Sequence, residues 1–585
     1  MPTTPRVSPG LDAARVPPDA RSPGADWRPR LRHGPSPAWL ALAAVIAFGT
    51  VQTAVRFHNH HLGLLGDDYD FLLAREGLSV HTLLEPHNEN LSTVGILLYR
   101  GIFAVVGIST AVPYIALLFL SLWACAVLSY VFVRGALGPW IALIAPLLLV
   151  TLGPAAEALL WPFESTLLGA LAFWLGAMLL IERAKPRTDA IGCALLILGI
   201  GSQSLAVALL PATAVALVLW TGWRKVWRRA WIVALPLVLY LAWYVIYQPH
   251  LERHLAKVPG CIVNSFVATV GDLSGVGNSS YGVPLAAALI TAVCVRCLYL
   301  RRVPPTTVYV GVGLLMIWVA AGLAEGPGRV PAQSRYQFHD SLLLMLALAP
   351  LVPRLRLTLL KGGFLAAVVG AIVALNLGGY KLWEGVFEYQ ESLASAQLSA
   401  LEVARPAIVD PRAVFTGFYE PGLYWPVTPK AYFGAIDAHG SPVRVHQDLE
   451  IASSEARAEA DLVLVRVEAI AVVAGRGHIG TIRPPSVSGL RLQPAGAGCA
   501  VIPAGSASTA FQVVAPPGGL IIRPDAGPPV GVGAARFADP PAAVPLASVL
   551  GASEAMIHTN QDASSAPWRF QLTAPQAVTV CSLAE

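Results

Sequence analysis

Between residues 66 and 90 the chain reads Gly66-Asp67-Asp68-Tyr69-Asp70, then Glu76, then Glu85-Pro86-His87-Asn88-Glu89-Asn90. Six carboxylates lie between Asp67 and Glu89, against the single base Arg75. Neighbouring carboxylates raise one another's proton affinity, and one beside a cavity is a candidate general base. A solvated, charged loop uses the same residue types; here the acids come in two tight groups. A second set is sparser: Glu157, Trp161 and Glu164 in 153–165, then Glu325, Arg329, Arg335, Tyr336, His339 and Asp340 in 325–340. A guanidinium grips phosphate in a bidentate fork, so Arg335 is a candidate anion ligand; the competing use is an interfacial anchor that snorkels. His58, His60 and His61, with the nearby aspartates, could bind a divalent metal, although loop histidines are commoner than metal sites. No residue is assigned as a metal ligand, and no other cofactor is implied.

These groups need a scaffold, and composition says which kind. Apolar residues make up 55% of the 585 residues, charged ones 13%, and mean hydropathy is +0.60. Soluble domains carry roughly 25% charge, so lipid must cover much of this chain. Its net charge of +5 sits in short clusters between apolar runs, which points to membrane topology and excludes nucleic acid as partner. Apolar runs at 38–55, 111–133, 138–152, 166–181, 190–204, 205–220, 230–247, 283–300, 306–324, 338–352 and 362–380 are candidate spans, some of them short. The run 92–107 carries Arg100 at its middle, so an amphipathic helix at the interface is the alternative to a span. Basic clusters decide between the two. With 92–107 not spanning, Arg134, Arg183 to Arg187, Arg224 to Arg229, Arg301 with Arg302, and Arg354 to Lys361 all fall on the side of the Arg-rich N-terminal tail.

The expected fold class is therefore a polytopic α-helical membrane protein of about eleven spans, multi-pass in an inner (plasma) membrane. Residues 1–37 are expected to be a disordered cytoplasmic tail with no cleavable signal, and 38–380 the membrane domain, with a first outer loop at 56–110. Residues 381–585 change character and are expected outside. A mixed α/β part at 381–475, with a helix near 387–404, precedes a β-sandwich-like part at 476–585. Leu462-Val463-Leu464-Val465, Phe511-Gln512-Val513-Val514 and Trp568 to Leu572 read as strands, and Cys499 with Cys581 as a disulfide on an oxidising side.

An opening span, an outer loop beginning with an acidic pair, and an amphipathic segment before the next span together resemble the GT-C fold glycosyltransferases. These are polytopic enzymes such as protein O-mannosyltransferases and aminoarabinose transferases, which use a sugar carried on a polyprenyl phosphate. The residues that carry the resemblance are Asp67 and Asp68; His87-Asn88-Glu89-Asn90-Leu91 followed by Leu97-Leu98-Tyr99-Arg100; Ser334-Arg335-Tyr336; and Trp161-Pro162-Phe163-Glu164. It covers roughly residues 38–380, and a Lys-Pro-Pro-like element is replaced by His87 to Asn90. The resemblance implies transfer of a sugar from a polyprenyl-phosphate donor to an extracytoplasmic glycan, lipid or protein acceptor. Asp67 or Asp68 would be the base, Arg335 or Arg329 would meet the phosphate, and His87, Glu89, Asn90, Glu164 and Tyr336 would line the substrate. Two other readings stand beside it: a transporter or flippase of a lipid-linked precursor, and an inactive scaffold with a glycan-binding outer domain. A transporter would more often show inverted repeats and mid-membrane charges, which the sequence lacks.

Overall fold

In the computed structural model the described residues are 36–75, 77–247, 253–277, 281–326, 330–353, 358–412, 427–480, 485–487, 493–496, 498–504, 510–539 and 542–584. The expected N-terminal tail up to residue 35, Glu76 and Arg329 lie outside them.

The chain is a polytopic helical membrane protein with a C-terminal domain of helices and β-sheets. Among the described residues, seven helices are long and apolar enough to cross a membrane: Pro37–Asn59, Val112–Leu137, Pro162–Ile181, Ser204–Thr221, Gly282–Leu300, Pro305–Leu323 and Leu359–Ala407. An eighth span results if Ile141–Val150 and Gly153–Leu160, bent by 45°, count as one. The expected eleven is thus not reached by length and composition. Each remaining apolar run is helical but shorter: Pro186–Ser202 and Trp231–Tyr247 have 17 residues each, Ser334–Leu348 has 15. The reason is local. Pro186–Ser202 opens on a charged turn, Ser334–Leu348 opens on Ser-Arg-Tyr-Gln-Phe-His-Asp, and Trp231–Tyr247 carries an internal proline. Short helices are tolerated where protein shields their ends.

Burial sorts the helices. The apolar window of Pro162–Ile181 is 72% buried and that of Gly282–Leu300 only 6%, so the first is central and the second offers its sides to lipid. Close packing at the centre has a glycine signature. A Cβ on Gly153, at the break of the bent pair, would stand 1.9 Å from the Asn376 carbonyl oxygen and 2.8 Å from Tyr380 N. The segment 92–107 forms the 14-residue helix Thr93–Val106, with Ile96 and Tyr99 buried and Leu97, Leu98 and Val105 exposed. Between the apolar runs 230–247 and 283–300 lies the helix Val258–Leu273, in which Cys261 is buried.

One helix, Leu359–Ala404, runs 46 residues without interruption through position 381 and the helix expected near 387–404. It therefore leaves the membrane as a rigid rod and becomes the first helix of the C-terminal domain. Leu462 to Val465, expected as a strand, lies inside the helix Ser454–Val467. Ser453 caps that helix by accepting from Ala456 N, and the Glu- and Ala-rich first turns propagate it, so Val463, Leu464 and Val467 form a buried helical stripe.

Among the described residues eleven strands follow: β1 (Val472–Ala474), β2 (Ser486–Val487), β3 (Gln493–Pro494), β4 (Cys499–Ile502), β5 (Ala510–Val514), β6 (Gly518–Pro524), β7 (Val530–Ala535), β8 (Val544–Val549), β9 (Ala555–Thr559), β10 (Arg569–Thr573) and β11 (Val578–Ser582). They pair antiparallel in two sheets, ordered β1-β9-β6-β11-β4-β3 and β2-β5-β10-β7-β8. Phe511 to Val514 and most of the Trp568–Leu572 stretch lie in strands. Cys581 stands opposite Cys499 across β11 and β4, and the two form a disulfide.

Candidate active site

The first helix ends at Asn59, and the chain turns back under itself at Gly66, whose φ of 44° is the left-handed region glycine adopts at no steric cost. That turn starts a short helix at Asp67, which continues as a π-helix over Asp70–Ala74. π-turns recur at functional sites because they aim side chains that a regular helix would rotate away. Asp67, Asp68 and Asp70 are all buried.

The three aspartates do different jobs. Asp68 accepts three hydrogen bonds: from Leu65 N at 2.9 Å and Trp161 Nε1 at 3.1 Å on Oδ2, and from the Tyr99 hydroxyl at 2.6 Å on Oδ1. Burial pushes its pKa up to about 7, against the pull of the Leu65 N–H and the Tyr99 hydroxyl and with the charge of Asp67 adding to the rise. Both oxygens are thus engaged in tying the loop to the Trp161 segment and the Thr93–Val106 helix. Asp67 and Asp70 instead bracket His87, with Asp70 Oδ2 2.6 Å from Nδ1 and Asp67 Oδ1 3.1 Å from Nε2. Burial alone would lower the pKa of His87; the charge and hydrogen bonding of Asp67 and then Asp70 overcome it and raise the pKa to about 9. The ring is therefore an imidazolium across the neutral range, hydrogen-bonded to Asp70 through Nδ1 and ion-paired with Asp67 through Nε2. Asp70 moves the other way. Burial raises its pKa, but the His87 hydrogen bond, its charge and Arg75 outweigh that, and the net shift is downward.

Arg75 holds the hairpin that delivers His87. Its Nε donates to Asp70 Oδ2 at 3.3 Å, and its guanidinium reaches the carbonyls of Thr82 at 3.1 Å, Glu85 at 2.8 Å and Pro86 at 3.0 Å. His87 and Asn90 exchange both backbone hydrogen bonds around Asn88, which has φ 53°. Glu89 and Asn90 sit half-buried on that hairpin. Its two ends are fixed as well: Trp243 Nε1 donates to the Leu84 carbonyl at 2.7 Å, and Leu91 N donates to Ser204 Oγ at 2.6 Å.

The second sequence set meets the first. Glu157, on the outer limb of the bent pair, accepts the Arg335 backbone N–H at 3.2 Å, and the Arg335 guanidinium lies 3.9 Å from its Oε1. Ser334 Oγ accepts the Glu157 N–H at 3.0 Å, so the start of the Ser334–Leu348 helix is locked to this limb. Glu164 is buried within electrostatic range of Glu157, Arg335, Asp67 and Asp68. Tyr336 lies under the Arg335 guanidinium at 5.4 Å and stacks on His339. Asp67, Asp68, His87, Glu164 and Arg335 therefore share one electrostatic neighbourhood.

The sequence pattern pointed to those five but missed the parts that hold them. Arg75 was legible as the lone base among six acids. Glu157 was visible as a carboxylate facing the same side. Tyr99 and Trp161 stand in the stretches that carry the resemblance, but nothing there marks them as side-chain donors to Asp68. Arg100 gives its guanidinium to the Leu72 carbonyl at 2.8 Å, which explains a charge in an otherwise apolar helix. His60, read as one of a metal-binding cluster, lies 3.0 Å from Glu388 and 3.7 Å from Glu384. Among the described residues no three His, Cys, Asp or Glu side chains are arranged to hold a metal ion.

Beside the hairpin lies an apolar cavity of about 280 Å³, walled by Ile197 and Ile200 and by Pro236, Leu239, Tyr240 and Trp243, with Leu84 and Leu91 at its edge. The two edge residues are the ends of the segment that carries His87.

No family model and no curated protein matches this chain. Among solved structures, it is similar to ArnT from Cupriavidus metallidurans in a crystal structure bound to undecaprenyl phosphate, at 15% identity and TM-score 0.42, over 70% of this chain and 90% of that one. The apo-state crystal structure of the same ArnT matches at 15% identity and TM-score 0.42 over 71% and 90%.

Proposed function

We propose that this protein is a membrane glycosyltransferase that moves a sugar from a polyprenyl-phosphate donor to an acceptor on the outer side of the membrane, with Asp67 as general base. One observation carries the reading. A carboxylate paired through one oxygen with an imidazolium and an arginine at the start of a helix share one electrostatic neighbourhood, and the hairpin that carries the imidazolium is flanked at both ends by a cavity with hydrocarbon walls. In the proposed reaction the acceptor's nucleophile gives its proton to Asp67 as it attacks the anomeric carbon. The sugar–phosphate bond breaks, and the polyprenyl phosphate leaves with the electron pair. Arg335 meets the charge that develops on that phosphate, a bidentate match in a site largely closed to water. Glu157 holds the backbone of Arg335 and would surrender part of its ion pair to the phosphate. Asp68, engaged by three donors, is assigned to positioning. The apolar cavity at Leu84, Leu91 and Trp243 would receive the first isoprene units. Arg329, the second cation named from the sequence, keeps that rank only as a sequence expectation.

The test uses the full chain in proteoliposomes with radiolabelled polyprenyl-phosphate sugars. Wild type is expected to release polyprenyl phosphate and label an acceptor, and Arg335→Gln to lower turnover by about 10²-fold or more, with Arg335→Lys intermediate. Movement of intact donor between leaflets without bond cleavage would instead identify a flippase.

A further inference from the structure

At the far end of the helices from this site, two turns lie side by side. One joins Pro162–Ile181 to Pro186–Ser202; the other joins Ser204–Thr221 to Trp231–Tyr247. Arg229 locks them together. Its Nε donates to Asp189 Oδ2 at 2.8 Å and its Nη2 to Asp189 Oδ1 at 2.6 Å, while the same Nη2 bonds the Ile181 carbonyl. Val226 is buried and anchors the second turn from beneath. The consequence is a surface on which Lys185, Arg187, Arg224, Lys225 and Arg228 are all exposed, while the one acid of the first helix start, Asp189, is buried and used by Arg229. The second turn also exposes aromatic rings. Trp223 is 68% and Trp227 71% exposed, their rings meet edge to face at 6.2 Å, and Trp231 follows at 42%.

We propose that these two turns form a binding surface for the headgroup of an anionic phospholipid. Positive charge serving topology alone needs no fixed arrangement. Here an arginine is spent inside the protein to tie together the two turns that carry five exposed cations, and indole rings, which prefer the depth of lipid headgroups, are exposed on the second of those turns. The cations meet the lipid phosphate, and the indoles sit between headgroup and acyl chains. The surface does not involve the proposed transferase chemistry, so either proposal can fail without the other.

The experiment is native mass spectrometry of the full-length protein titrated with phosphatidylglycerol or phosphatidylcholine in mild detergent. Wild type is expected to retain phosphatidylglycerol, and the variant K185Q/R187Q/R224Q/K225Q/R228Q, which keeps Arg229, to retain it at least about tenfold more weakly. Should that variant not fold, wild-type retention is measured against salt, where a steep decline is expected because the contacts are exposed. Equal retention of both lipids, undiminished retention by the folded variant, or salt-insensitive binding would overturn the proposal. Displacement of the lipid by an equal concentration of inorganic phosphate would overturn it too, since the surface would then be a free-phosphate site.

Discussion

At the residue scale, the Asp67–Asp68 doublet separates into a reactive and a structural member, and substitutions can tell them apart. Asp68→Asn leaves a carbonyl oxygen for Leu65 N–H and Trp161, and the Tyr99 hydroxyl can turn from donor to acceptor for the new amide. It is expected to keep at least about a tenth of wild-type turnover, as general-base catalysis does not pass through it. Asp68→Ala strands three buried donors at about 1 kcal/mol or more each, so a loss of about 3 kcal/mol is expected in chemical unfolding of the detergent-solubilised protein. His87 adds a pH dependence with a defined sign. Its folded pKa of about 9 stands above the ordinary histidine value of 6.5, so the stability it contributes is fully present below pH 6.5 and is lost as pH rises through about 9. Thermal midpoints measured across that window should fall for wild type and fall less for His87→Gln. A wild-type curve flat from pH 6.5 to 9 would rule out the imidazolium between two carboxylates.

At the scale of elements, much of the helical frame was legible because apolar runs of span length leave few alternatives in water or lipid. The acidic loop was legible because charge is rare in this chain. What could not be read is how non-local contacts change an element's type or extent. Residues 462–465 are all apolar and two of them are β-branched valines, yet a capped, Ala-rich start carries a helix through them. The long helix hides its length because it passes from lipid to water, and its composition changes where its geometry does not. The two side-chain donors on Asp68 come from 31 and 93 positions away, a separation that no motif encodes. Gly153 is of the same kind. Nothing in Leu152-Gly153-Pro154 announces that the backbone of the long helix passes against it. Gly153→Ala would force those backbones apart, and a cost of about 1–3 kcal/mol is expected, read as a lowered unfolding midpoint. Gly362→Ala, where a Cβ meets nothing within 4 Å, is the control that should show no loss.

At the scale of the whole molecule, the rod Leu359–Ala404 ties the C-terminal domain to the membrane part. Along it, Arg56 of the first helix pairs with Glu384 at 2.6 Å and lies over Tyr380. The helix that opens onto the acidic loop is thereby fastened to the helix that carries the C-terminal domain. That domain's disulfide closes a separation of 82 residues, and such a crosslink contributes roughly 2–4 kcal/mol. Reduction, or Cys499→Ser with Cys581→Ser, should lower the unfolding midpoint of the β-sheet domain. The bond forms in an oxidising compartment, so thiol labelling of protein taken directly from cells should find Cys499 and Cys581 blocked. Free thiols at both positions would place the domain on the reducing side and remove the outer-side acceptor from the account.

The central claim is that Asp67 is a base acting on a lipid-borne donor. The most direct measurement compares Asp67→Asn with wild type in donor binding and in single-turnover sugar transfer. The account predicts that the variant binds a polyprenyl-phosphate sugar within a few-fold of wild type while its transfer rate falls by about 10²–10⁴-fold, the range a general base supplies. Transfer at the wild-type rate by a variant that binds normally would contradict it.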